Sequence, residues 1–227
     1  MAELHDDRPL IEPFAVKDCA VIAIATARRA VTVHELLDGI ALIPPESLYY
    51  HFFTGLLQAR FEEPEYNNDF AGWVANQLHD SQLAEQLAVV DPTSYSDPEA
   101  LRSVLLEIIQ VAIDGTERLS WLRASRPFDF VRSQIVIFDT GRRAANVAEL
   151  ATLLPELPAE SIFYHFIDAR RREPLGRDDF GPWLECFGPQ TAPLVESLAN
   201  VDCYFDNLAG LKQRIVRCFE EHPEAAS

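Results

Sequence analysis

The chain has 227 residues, a formal net charge of −17 and 48% hydrophobic residues. That hydrophobic share is ordinary for a globular protein and excludes wholesale disorder, while the charge repels polyphosphate backbones and argues against nucleic acid as a partner. No apolar run approaches the roughly 18–20 residues that span a bilayer, so no membrane association is expected.

The N-terminus, Met1-Ala2-Glu3-Leu4-His5-Asp6-Asp7, is acidic, whereas a secretory signal needs a basic start and an apolar stretch. The four cysteines, Cys19, Cys186, Cys203 and Cys218, are scattered without a CxxC pair, which points to reduced thiols in a cytoplasm.

The first element, Ala20 to Thr26, is short, apolar and β-branched and predicts a strand. Arg28-Arg29 follow, and then Thr32 with Glu35 form a capping box that opens a helix through Leu36 and Leu37. Pro44-Pro45 stop it. A second helix carries Leu48, Phe52 and Leu56 in one row and Tyr49, Phe53 and Leu57 in the next, a breadth of apolar surface that predicts burial on more than one side. His51 lies on it. A third helix starts at Asp69-Phe70, a fourth spans Gln82 to Val89, and a last one begins at Asp97-Pro98 and runs through Leu105, Ile108, Ile109 and Ala112. Gly115 to Ser125 then reads as a linker that packs through Leu119, Trp121 and Leu122.

Beyond the linker the pattern returns. Glu46-Ser47-Leu48-Tyr49-Tyr50-His51-Phe52 recurs as Glu160-Ser161-Ile162-Phe163-Tyr164-His165-Phe166, and Arg28-Arg29-Ala30 as Arg142-Arg143-Ala144, all at an offset of 114. After the histidine the offset falls to 110, where Asp69-Phe70 and Trp73 match Asp179-Phe180 and Trp183. The first copy thus carries four extra residues between Phe52 and Ala59, about one helical turn. Ile135 to Thr140 predicts the second strand, and Asn146 with Glu149 the second capping box. Pro182 marks the first turn of the helix after Asp179, and Leu208, Leu211, Ile215 and Phe219 mark the last helix.

The expected fold is mainly α: a tandem duplication of a roughly 100-residue helical module with one short strand per copy, related by a pseudo-two-fold axis. The modules are 12–114 and 126–222, joined by 115–125. They differ in charge: Glu12 to Asp114 holds 5 basic and 16 acidic residues, and Arg126 to His222 holds 11 and 15.

Thr140-Gly141-Arg142, the Ser-aliphatic-Tyr-Tyr-His element at Ser47 and Asn67-Asn68-Asp69-Phe70 with Trp73 together resemble a family of uncharacterised bacterial proteins. Two positions depart from its pattern: Ala27 replaces the glycine in the first copy, and Asp178 stands where the first copy has Asn68. The resemblance implies domain organisation and a bacterial origin, and the family brings no assigned chemistry with it.

The candidate catalytic residues are His51, Asp69, His165 and Asp179, because an imidazole beside a carboxylate is a general-base arrangement. Against this, the histidines read as core hydrogen-bonding groups and the aspartates as helix N-caps. Neither helix offers a second ligand four residues on, where Gly55 and Ala169 stand, so no metal and no cofactor is expected. Arg28, Arg29, Arg142 and Arg143 precede helix N-termini and suit a phosphate or carboxylate, with ion pairing to nearby acids as the simpler reading. Arg170, Arg171, Arg172 and Arg177 read as a solvated helix end or a surface for an acidic partner. No phosphate loop, GxSxG or HExxH is present. The expectation is a non-catalytic binding or regulatory module for a protein partner or a small anionic ligand, open to homo-oligomerisation, with a metal-dependent or His/Asp hydrolase as the alternative.

Overall fold

A computed structural model describes residues 11–57, 65–95, 97–172, 176–204 and 207–226. Two strands, β1 (Phe14–Ala30) and β2 (Phe128–Ala144), form a two-stranded sheet. The Thr26 hydroxyl donates to the Phe130 carbonyl and the Thr140 hydroxyl to the Val16 carbonyl, so residue numbers rise on one strand as they fall on the other. The pairing is therefore antiparallel.

Eleven α-helices are present among the described residues: α1 (Val33–Leu42), α2 (Pro45–Leu57), α3 (Asp69–Trp73), α4 (Ser81–Ala88), α5 (Pro98–Gly115), α6 (Glu117–Trp121), α7 (Val147–Leu153), α8 (Ala159–Ile162), α9 (Phe180–Glu185), α10 (Ala192–Ala199) and α11 (Leu208–Glu221). The mainly α expectation agrees with this content. Local chemistry sets most helix starts. Thr32 Oγ1 accepts the Glu35 N–H, and Glu35 reaches back to the Val31 N–H at 2.7 Å. Asn146 and Glu149 do the same with the Ala145 N–H. Asp80 and Asp97 cap α4 and α5, the latter with Pro98 in its first turn.

The expectation of tandem modules with one short strand each, related by a pseudo-two-fold axis, is corrected. The chain folds as two compact units, and neither is a contiguous module. One contains Cys19–Val136 and Cys203–Asn207, hence α1–α6. The other contains Met1–Asp18, Ile137–Asp202 and Leu208–Ser227, hence α7–α11. The division falls inside both strands. Each strand is also far longer than its apolar centre, because the flanking charged residues continue the extended backbone.

In the α1–α6 unit, β2 supplies Phe128 and Phe130 to a core of Leu36, Ile40, Phe52, Phe70 and Leu105. Phe128 stacks on Phe70 with centroids 5.3 Å apart, and the Trp73 indole donates to the Arg126 carbonyl. Phe130 lies so close to α1 that a Cβ added at Gly39 would sit 2.1 Å from its ring. In the α7–α11 unit, β1 supplies Phe14 and Val16. Phe14 packs against Phe180 at 5.2 Å, and the Trp183 indole donates to the Glu12 carbonyl. Each core is thus completed by a strand from the other end of the helical sequence it packs on, which periodicity along the chain does not reveal.

Of the segment expected as a packing linker, Leu119 is buried in α6 but Trp121 is 83% exposed. The side chains of Leu56 and Leu57, and most of the four-residue insertion before Ala59, lie outside the described residues.

Candidate functional site

The Ser-x-x-x-His spacing in α2 places Ser47 and His51 on one helix face, four residues apart. That face meets β2. The Val131 N–H donates to His51 Nε2 at 3.1 Å, and the Ser47 hydroxyl donates to the Val131 carbonyl. In an antiparallel strand the N–H and C=O of one residue point the same way. Both groups of Val131 are taken by α2, so they lie on the strand edge turned away from β1. Ser47 and His51 stand where a third strand would otherwise bond.

This contact fixes the imidazole's protonation pattern. With Nε2 accepting a backbone N–H, the ring proton sits on Nδ1 and is donated to Asp69 Oδ2 at 2.9 Å. The ring is buried between Phe70 and Phe128, with the Phe128 centroid 4.7 Å away. Its one basic lone pair is occupied, so it neither takes a proton from a substrate nor ligates a metal without releasing the strand.

In the α7–α11 unit, His165 lies in a π-helical turn, Phe163–Ile167, that follows α8. The Lys17 N–H donates to its Nε2 at 2.9 Å, and its Nδ1 donates to Asp179 Oδ2 at 2.7 Å. Phe14 lies 4.9 Å from the ring. Arg172 adds a second donor to Asp179 at 2.8 Å and lies over the Tyr164 ring. Burial pushes the Asp179 carboxyl up, but the bonds and charges of His165 and Arg172 outweigh it and hold the group below its ordinary value.

The structure thus brings His51 to Asp69 and His165 to Asp179. The N-cap expectation for these aspartates is displaced by one residue. Asn68 Oδ1 accepts the Ala71 N–H at 2.9 Å, and Asp178 Oδ1 accepts the Gly181 N–H at 2.8 Å. Either side chain offers the oxygen a cap requires, which explains the exchange of Asn for Asp between the two positions. The caps are buried and the neighbouring aspartates are left to hold the histidines.

The arginines are largely committed to internal acids. Arg29 pairs with Asp129 at 2.6 Å, Arg142 with Glu156 at 2.5 Å and Arg143 with Asp139 at 2.7 Å. These pairs lie on the surface and use neither the capping-box glutamates nor Asp69 and Asp179. Arg28 is exposed and makes no ion pair among the described residues. Arg171 and Arg172 bond Asp168, Arg177 bonds Glu185, and Arg170 lies over the Phe166 ring. A free guanidinium fork for an anion is therefore scarce.

One further constellation has no sequence signature. His222 Nε2 lies 2.8 Å from the Ser197 hydroxyl, and its Nδ1 lies 3.0 Å from Glu224. The connectivity is acid–imidazole–hydroxyl, but Ser197 sits inside α10, where helix bonding consumes the backbone N–H groups that would stabilise an oxyanion. Among the described residues no group of three or more His, Cys, Asp or Glu is arranged to hold a metal, and no helix is long and apolar enough to cross a membrane.

No protein of curated function matches the chain. A solved structure, described as that of OrfY from Thermoproteus tenax, is similar at 29% sequence identity and a TM-score of 0.78, covering 93% of this chain and 95% of that one. A family model described as a family of unknown function (DUF5752) matches residues 11–220. The chain therefore belongs to that family.

Proposed function

We propose that the protein is a non-catalytic binding module whose ligand is another protein. The observation that carries this reading is the full occupancy of both imidazoles, with Nδ1 on an aspartate and Nε2 on a strand N–H. The strongest candidate for catalysis is spent on holding strand edges. The expectation of a small anionic ligand loses ground for a similar reason, since most of the candidate arginines already bond acids. Beside the exposed Arg28, apolar side chains are open to solvent: Ile22, Ile137, Phe138 and Trp121 are each about half exposed or more. We take these side chains as the candidate contacts for a protein partner. Unbridged cysteines fit a cytoplasmic setting.

The test is affinity purification from the source organism with the wild type and with Trp121→Ala and Ile22→Lys. A stoichiometric partner, or a second copy of the chain, retained by the wild type and lost in either variant supports the reading. Turnover of an ester or phosphoester panel that disappears in folded His51→Gln or His165→Gln protein would overturn it.

A second reading, hydrolysis, rests on the Ser197–His222–Glu224 contacts. It requires that a serine-reactive fluorophosphonate label the wild type and not Ser197→Ala. Equal labelling, or none, removes it.

A further inference from the structure

Each strand carries one left-handed residue, and the two surroundings are built alike. At Thr26-Ala27-Arg28, and 114 residues on at Thr140-Gly141-Arg142, the middle residue has φ 60° and 73°. In each, the threonine hydroxyl accepts the arginine N–H, at 3.3 and 3.2 Å, and donates to a carbonyl of the opposite strand, at 2.7 and 2.6 Å. The step at Gly141 holds a carboxylate. Asp139 Oδ1 accepts the Gly141 N–H at 2.8 Å, and both terminal nitrogens of Arg143 donate to the same carboxylate, at 2.9 and 2.7 Å. Arg143, and after it the Gly141 N–H, hold the Asp139 carboxyl below its ordinary value, so this cradle favours the ionised form.

The step at Ala27 has the donors without the acid. Alanine stands at position 25, which matches Asp139, and leucine at position 42, which matches Glu156, the partner of Arg142. Arg29 meets Asp129 through Nε, not through the terminal nitrogens that Arg143 gives to Asp139. Arg28 makes no ion pair among the described residues. Two arginines with two acids leave the step at Gly141 neutral, whereas two arginines with Asp129 alone leave one positive charge at Ala27. Ala25, Ala27, Arg28 and Arg29 are all exposed, so a ligand can reach them. We infer that the step at Ala27 binds a carboxylate of the protein partner, an aspartate or glutamate side chain, through the Ala27 N–H and the Arg29 guanidinium. That carboxylate takes the part that Asp139 plays at the matching step. A carboxylate suits both terminal nitrogens of a guanidinium at once, and the charge of Arg28 beside them attracts it. The inference rests on the protein-recognition reading and names the chemistry of the contact. The residues from Ala25 to Arg29, and Asp129, all belong to the α1–α6 unit.

The experiment is a nitrogen-15 correlation titration of the full chain at physiological salt. The probes are sodium acetate and an acetylated, amidated tripeptide whose one charge is an aspartate side chain. Each is expected to move the Ala27 amide proton downfield, saturably, together with the Arg29 Nε signal. Ala25→Asp supplies the missing acid. Its Ala27 amide is expected downfield before any probe is added and unresponsive afterwards, with an unchanged circular dichroism spectrum. Arg29→Lys keeps the charge and loses the fork, and is expected to weaken both probes about ten-fold. An Ala27 amide that neither probe moves, or Ala25→Asp protein that binds both as the wild type does, overturns the inference. In the affinity experiment Ala25→Asp is expected to lose the protein that the wild type retains. If it keeps that protein while Trp121→Ala or Ile22→Lys loses it, the carboxylate is not the partner's, and the inference fails while the protein-recognition reading stands. If the wild type retains no protein, both fall, whatever acetate does.

Discussion

His51 in the α1–α6 unit and His165 in the α7–α11 unit make the same two bonds in different company. Each Nδ1 reaches an aspartate and each Nε2 takes the N–H of an edge residue, Val131 or Lys17. Around that shared pair the chemistry diverges. Ser47 completes its site by taking the Val131 carbonyl, whereas the Ser161 hydroxyl is buried with no hydrogen-bond partner among the described residues. Asp179 is held additionally by Arg172, while the residue that matches Arg172 at an offset of 110 is Glu62, outside the described residues. What is common to both sites satisfies the outer edge of a two-stranded ribbon, a structural need wherever an edge is buried. What differs is charge. The Ser-x-x-x-His and Asp-Phe-x-x-Trp elements thus supply the side chains that bond those edges.

Deleting either imidazole breaks the comparison at its strongest point. His51→Ala and His165→Ala should each cost about 3–5 kcal/mol in denaturant unfolding, from a buried strand N–H left unpaired and the space left by the ring. Similar losses at both positions fit a shared edge-holding role. A loss at only one would mean that the two sites are not equivalent.

Gly39 sharpens the contrast in packing. Its missing Cβ leaves room for the Phe130 ring, whereas the positions 114 residues away carry Leu153 and Val16. Gly39→Ala should destabilise by about 1–3 kcal/mol through overpacking. Adding Phe130→Val should recover part of that loss, as a double-mutant cycle will show.

Backbone strain separates the two strand ends. Ala27 adopts φ 60° and Gly141 φ 73°, both in the left-handed region. Ala27→Gly should be neutral to stabilising, and Gly141→Ala should cost about 1 kcal/mol. Thermal midpoints moving in opposite directions would establish the asymmetry.

The smallest effect concerns acid. The folded Asp179 carboxyl lies below its ordinary value of 3.8, so its contribution to stability is fully present above that pH and is lost as pH falls through the folded value. Asp179→Asn should flatten the acid limb of the stability curve, measured by denaturant titration between neutral and acid pH, and Arg172→Met should flatten it in part.

Much of the helical layout was legible because caps, prolines and apolar spacing act within a few residues. Thr32 with Glu35, Asp80 and Asp97-Pro98 all open helices as their chemistry requires. The exchange of strand ends was not legible, since Phe14 meets Phe180, and Phe128 meets Phe70, across separations that no periodicity encodes. The histidine–aspartate pairs could be guessed from recurrence, but their chemistry could not. Whether Nε2 is free depends on Val131 and Lys17, backbone groups with no signature of their own. The cap was misplaced by one residue because Asn68-Asp69 and Asp178-Asp179 each offer two competent acceptors, and only tertiary contact decides between them.

The most direct measurement is the tautomeric state of the two rings, read from nitrogen-15 histidine correlations of the full-length protein at neutral pH. His51 and His165 are expected as neutral imidazoles protonated at Nδ1, each with Nε2 as a hydrogen-bond acceptor. Protonation at Nε2 in either ring, with Nδ1 as the free base, would contradict the assignment of these histidines to the strand edges.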